Sequence, residues 1–126
     1  VKVTADTFVL EEDQREAVFT GNVVVVHPDV TVNAGKVVVS YGEGGMQSIE
    51  SFVATQDVRI KTADQDATGK QAVYDPKTQK LTLSGDVVVV NASGRLTGPS
   101  LVVDLKNKTS VFSGGGNGQR VIGVFN

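Results

Sequence analysis

Apolar residues along this chain recur at every second position. In Leu81-Thr82-Leu83-Ser84-Gly85-Asp86-Val87-Val88-Val89-Val90 the alternation runs into Ser-Gly-Asp and resumes as four valines. That pattern predicts a strand, a sharp bend or bulge at the glycine, and a second strand. Nearly the same string stands at Ala17-Val18-Phe19-Thr20-Gly21-Asn22-Val23-Val24-Val25-Val26. Apolar residues nowhere keep a three-and-four spacing for more than one turn, and Val, Thr, Ile and Phe dominate the runs. An all-β chain with no significant helix is expected.

Aligned on the bend, the string recurs four times, at Gly21, Gln56, Gly85 and Gly114, each after Thr or Ser. A second landmark lies upstream of each: Thr4-Ala5, Asn33-Ala34, Thr68-Gly69 and Thr97-Gly98. The last two bend-to-bend intervals are 29 residues; the first is six longer, where Tyr41 to Ser48 form a Gly-rich loop. Four tandem units follow, at about 1–29, 30–64, 65–93 and 94–126, treated as one domain over 1–126. Each is predicted as strand, corner, strand, hairpin turn, strand, corner, strand. Gln56 in place of glycine predicts a shallower bend in unit two. Asp75-Pro76-Lys77-Thr78 reads as a type I turn, with Asp first and Pro second.

Phe52, Ala54, Val58 and Ile60 share one parity and Thr55, Asp57, Arg59 and Lys61 the other, so the first set faces inward. Carried through the alignment, that parity places Ala17, Phe19, Val23 and Val25 on the same wall, with Leu81, Leu83, Val87 and Val89, and Phe112 in the last unit. From the other strand of each unit come Phe8 and Leu10, Val37 and Val39, Ala72 and Tyr74, and Leu101 and Val103. This wall holds no charge. Val24, Val26, Val88 and Val90, and likewise Val9, Val38, Val73 and Val102, are apolar on the opposite parity. Either those strands are covered on both faces or they carry an outer apolar strip.

The 126 residues suffice to bury one sizeable core. Twelve basic and fourteen acidic residues give a net charge of −2, and the basic residues are scattered. No nucleic-acid partner is expected. Cysteine is absent, which removes disulfide, thiolate and Cys-zinc chemistry. No apolar stretch is long enough for a membrane span or signal peptide, and the start at Val1 suggests that a targeting segment has been removed.

Candidate chemistry reads blandly. Glu11-Glu12-Asp13 lacks the alternating oxygen ligands and glycine of a calcium loop, and Asp64 and Asp66 lack the following Glu, so no metal is expected. His27, beside Pro28, has no nucleophile motif to join. Gly69-Lys70 is not a phosphate loop, and Gly114 to Gly118 precedes no helix. No cofactor and no enzymatic activity are expected. An unreactive apolar wall suits acyl chains, whose transfer is favourable by about 0.8 kcal/mol per methylene.

Ala5-Asp6-x-Phe8-x-Leu10, Phe19-Thr20-Gly21-Asn22-Val23-Val24-Val25, Ala67-Thr68-Gly69-Lys70-Gln71-Ala72-Val73-Tyr74-Asp75-Pro76 and Leu83-Ser84-Gly85-Asp86-Val87 together resemble the OstA-like repeat of the LptA family of periplasmic lipopolysaccharide-transport proteins. The resemblance covers nearly the whole chain. It implies an open-ended, twisted β-jellyroll that takes the lipid A acyl chains of lipopolysaccharide inside, in the periplasm. It also implies head-to-tail assembly from inner to outer membrane, with LptC-like and LptD-like partners at the ends. Val1 and Val3 against Val121, Val124 and Phe125 would form the contact edges. An excised periplasmic domain of an LptC-like or LptD-like protein fits the same strings. Lys36, Arg59, Lys61, Lys70 and Arg95 are candidate lipid-phosphate contacts, or simply solvated surface charge. A β-solenoid scaffold with a filled core and a sugar-active β-sandwich with paired carboxylates are the rival classes.

Overall fold

Ten strands follow one another in a meander, in a computed structural model that describes residues 2–45, 48–114 and 120–125. They are β1 (Lys2–Thr4), β2 (Thr7–Glu11), β3 (Glu16–His27), β4 (Val30–Tyr41), β5 (Ile49–Lys61), β6 (Gln65–Asp75), β7 (Lys80–Asn91), β8 (Gly94–Asp104), β9 (Thr109–Ser113) and β10 (Ile122–Phe125). The described residues hold no α-helix, only a 3-10 turn at Glu12–Gln14. All strands join one antiparallel sheet in the order β1-β3-β4-β5-β6-β7-β8-β10, with β2 beside β3 and β9 beside β8. The sheet does not close. The first and last strands are each split in two: β1 and β2 pair with opposite halves of β3, and β9 and β10 with opposite halves of β8.

The predicted corners do not interrupt the inner strands, which run unbroken for 11 to 13 residues. Bending is done by a bulge carrying two successive left-handed residues: Gly21-Asn22 in β3, Gln56-Asp57 in β5 and Gly85-Asp86 in β7. Each sits where the register with both neighbours shifts, between Thr20 and Val23, Thr55 and Val58, and Ser84 and Val87. An extra residue on one strand bends it and increases its twist. The shallower bend expected at Gln56 is not found: φ is 69° there and 59° at Asp57, beside 82° and 48° at Gly21 and Asn22. Gln56 holds that conformation with its side chain over Gly35, whose added Cβ would meet Gln56 Cβ at 2.7 Å. The fourth bend differs too, because β9 ends at Ser113 and Gly114 lies outside any strand. Most of the run from Gly114 to Gly118 lies outside the described residues.

The turns use side-chain caps. Asp75 Oδ1 accepts from the Lys77 amide at 2.9 Å, Asn91 Oδ1 from Ser93 and Gly94 at 2.9 and 3.1 Å, and Asp104 Oδ1 from Asn107 at 3.0 Å. At Asp75 the loop closes through the Gln79 amide onto the Asp75 carbonyl, 2.8 Å, with Gln79 left-handed. It is thus one residue longer than the type I turn expected.

Bending at the bulges folds the sheet into two facing layers. One cavity is lined by Val25, Val30 and Val32 from one half of the strands and by Phe52, Tyr74 and Leu81 from the other. Gln65, at the start of β6 in one layer, donates through Nε2 to Ser110 Oγ of β9 in the other, 3.4 Å. Between the layers lies a core with no buried polar or charged residue among those described.

Candidate functional site: an apolar interior and two open edges

Fourteen residues expected on the inner wall are buried: Ala17, Val23, Val37, Val39, Ala54, Val58, Ile60, Ala72, Leu81, Leu83, Val87, Val89, Leu101 and Val103. Phe19, Val25, Phe52, Tyr74 and Phe112 pack against them, half-buried. Phe8 and Leu10 are corrections. They share the inner face, paired with Phe19 and Ala17, with the Phe8 and Phe19 rings 4.9 Å apart. Yet they are 53% and 45% exposed, since β2 is an edge strand with no further strand beyond it among the described residues.

Sequence reasoning missed Val30, Val32, Ala34 and Ala67, all buried, and half-buried Leu96. The cause is a change of parity within each even-numbered inner strand. β4 buries Val30, Val32 and Ala34 before its corner and Val37 and Val39 after it. The odd-numbered strands keep one parity because the bulge inserts a residue. The signal was legible as the step from even to odd positions across Gly35-Lys36.

The interior is hydrocarbon-lined and tightly filled. One cavity in it measures about 50 Å³, with Val25, Val32, Phe52 and Tyr74 on its walls, far below the roughly 300–1,000 Å³ typical of small-molecule sites. Phe52 and Tyr74 rings stand 5.9 Å apart, and burial, with help from Asp75, raises the Tyr74 hydroxyl pKa. His27 also lines this space; its Nδ1 accepts from the Asp29 amide at 3.2 Å, which makes it part of the β3–β4 turn.

The ion pairs lie on the outside. Arg59 donates two hydrogen bonds through Nε and one through Nη2 to the Asp66 carboxylate, which lowers the Asp66 pKa and raises that of Arg59. Lys70 pairs with Asp86 at 3.1 Å on an exposed bulge. Lys36, Lys61 and Arg95 make no ion pair among the described residues. Asp104 is held below the ordinary carboxylate range chiefly by the Asn107 amide and its side chain. Of the acids a sugar-active site would need, Asp75 and Asp104 cap turns and Asp86 holds Lys70.

Of the two readings for the outward valines, the apolar strip is found in the layer of β2 and β9 but not in the other, where Val24, Val26, Val88 and Val90 stand in rows with Asn33, Arg59, Lys61 and Asp66. Val9, Val18, Val38, Val53, Val73, Thr82, Val102 and Val111 stand opposite one another in a row across eight strands. Val26 and Val90 are 45% and 48% exposed in the other layer.

At the edges, Val3 turns inward and packs on the core, while Val124 and Phe125 are exposed. Val121 is exposed but precedes β10, so it lies outside the strand that forms this edge. Val1 lies outside the described residues.

A bent, two-layer antiparallel sheet, open at both ends around an apolar core, is an open β-jellyroll. The chain belongs to the LptA/(LptD N-terminal domain) LPS transport protein family, whose model matches residues 2–109. Its fold is similar to that of LptH from Pseudomonas aeruginosa, described as the LptA-homologous periplasmic component of a lipopolysaccharide transport device. The TM-score is 0.80 at 19% identity, covering 99% of this chain and 94% of that one. The chain is also 28% identical over 97 residues to an uncharacterized protein of Rhizobium meliloti (strain 1021), over 72% of its own length. It spans about half of that curated relative, 52%.

Proposed function

We propose that this chain carries lipopolysaccharide in the periplasm, holding the acyl chains of lipid A between its two layers while sugars and phosphates stay in water. The observation that carries the reading is the charge-free interior, which reaches the open edge at Phe8 and Leu10, in a chain of a lipopolysaccharide-transport family. Each methylene moved from water into it gains about 0.8 kcal/mol. A 50 Å³ cavity does not hold such chains as it stands, so the layers part along their apolar interface as lipid enters. Among the described residues no acid or charged group is buried in the interior, and its role is shielding.

End-to-end assembly through the sheet edges extends the trough between membranes, with LptC-like and LptD-like proteins as neighbours. Seven of the exposed large apolar residues lie on β2, β9 and β10, and unpaired edges are templates for strand addition. Because the family model joins LptA with the LptD N-terminal domain, a second reading makes the chain the periplasmic portion of a longer LptD-like protein with the same cargo. Competition binding tests the shared claim. Intact lipopolysaccharide displaces a bound fluorescent acyl probe and the fully deacylated saccharide does not; equal displacement by both would refute acyl shielding.

A further inference from the structure

Both edges of the sheet are broken strands, and the breaks match. β2 and β9 each have five residues in one layer; β1 and β10 have three and four in the other. Resting on the end-to-end reading above, we propose that the junction with a second copy is double and unshifted. β9 pairs with β2 of the next copy in one layer, and β10 with its β1 in the other.

Strand direction permits this. β9 runs antiparallel to β8, and β2 antiparallel to β3. Directions alternate across the sheet, so β9 meets an incoming β2 antiparallel. Hydrogen-bond phase permits it as well. In an antiparallel sheet each residue directs both backbone groups to one side, and hydrogen-bonded pairs alternate with non-bonded ones along every row. The valine row crosses eight strands, from Val9 to Val111. In the other layer Thr4, Val24, Asn33, Arg59, Thr68, Val88, Thr97 and Ile122 form a row that also crosses eight. With an even number of strands, the alternation reaches the last strand in the phase that the first strand of the next copy requires.

The side chains then fix which register is used. Unshifted pairing places Val111 against Val9, which are 58% and 50% exposed, and extends the outer valine row without a gap. Inside, Phe112 meets Phe8, prolonging the aromatic contact that Phe8 makes with Phe19. In the other layer Gly123 faces Val3 and Ile122 faces Thr4. A slip of one residue turns the valines of the incoming strand to the wrong face. A slip of two sets Val111 against Thr7 or Glu11 and breaks the row. A junction made by β10 and β1 alone would leave the β2–β9 layer open to water beside Phe8 and Leu10.

The chain contains no cysteine, so single-cysteine variants cross-link without background. Directly opposed Cβ atoms lie about 4.5–5.5 Å apart and diagonal ones about 7–8 Å. Val111→Cys mixed with Val9→Cys under mild oxidation is expected to give at least tenfold more covalent dimer than Val111→Cys mixed with Thr7→Cys or Glu11→Cys. Ile122→Cys with Thr4→Cys is expected to couple as well. Chains that sediment as oligomers yet couple best at a shifted pair, or only in the β10–β1 layer, would overturn the double unshifted junction and leave end-to-end assembly standing. No concentration-dependent association of the unmodified chain would remove both.

Discussion

Leu83 has no exposed surface, stands opposite Ala72 and Leu101, and sits over Gly69, where an added Cβ would meet its Cδ1 at 2.7 Å. Truncating it leaves a void between strands that cannot collapse onto one another. Leu83→Ala is expected to cost about 2–5 kcal/mol in urea denaturation, and Leu83→Asp to unfold the chain, because a lone charge has no partner there. Native-like stability of both would place the interior elsewhere. Among the outer polar residues, Asp66 and Asp104 have lowered carboxylate pKa values, through Arg59 and Asn107 respectively. A carboxylate lowered in the folded state adds stability above its unfolded pKa of about 3.9 and loses it as pH falls through the folded value. Both groups are only partly buried and reach solvent, so the effect is small. Asp104→Asn is therefore expected to be less stable than wild type at neutral pH and to approach it on acidification below about pH 4; a gap that widens on acidification would contradict the assignment.

At the scale of elements, the bulge is the device that makes a jellyroll from a meander. Gly85 has φ 85°, and an added Cβ would meet Lys70 Cβ at 2.7 Å. Gly85→Ala is expected to lower stability by about 1–2 kcal/mol from the left-handed backbone alone, read from the denaturation midpoint; no change would mean the bulge is not needed. The strings around Gly21 and Gly85 made the bends legible, and the alternation in Phe52 to Ile60 gave the inward face correctly for most of the wall. What alternation does not show is where a strand changes face without a bulge of its own. Hence Val30, Val32, Ala34 and Ala67 were missed, although Val37 and Val39 in the same strand were found. Nor does it show which strand ends the sheet. Phe8 reads in sequence like Phe19, and it is exposed because among the described residues β2 pairs only with β3. Gln56 predicts a shallower bend because its residue type is unfavourable there, but the geometry of the strands on either side imposes the conformation.

At the scale of the molecule, two layers enclose a nearly full interior, and the unsatisfied apolar surface concentrates at the two ends. Removing residues 121–126 takes away β10, whose side chains are all exposed, so the remaining chain is expected to keep its cooperative unfolding. Because the β2–β9 contact survives, self-association should weaken at least tenfold in sedimentation without vanishing; unchanged association would exclude β10 from the junction. Transport by this fold requires lipid to lie between the layers. Photo-crosslinking measures that most directly, with a photoreactive residue at Phe52 or Leu83, which face the interior, and at Val53 or Val73, which face outward. Lipopolysaccharide captured from Phe52 and Leu83 but not from Val53 and Val73 is the predicted result, and capture from the outward pair alone would contradict it.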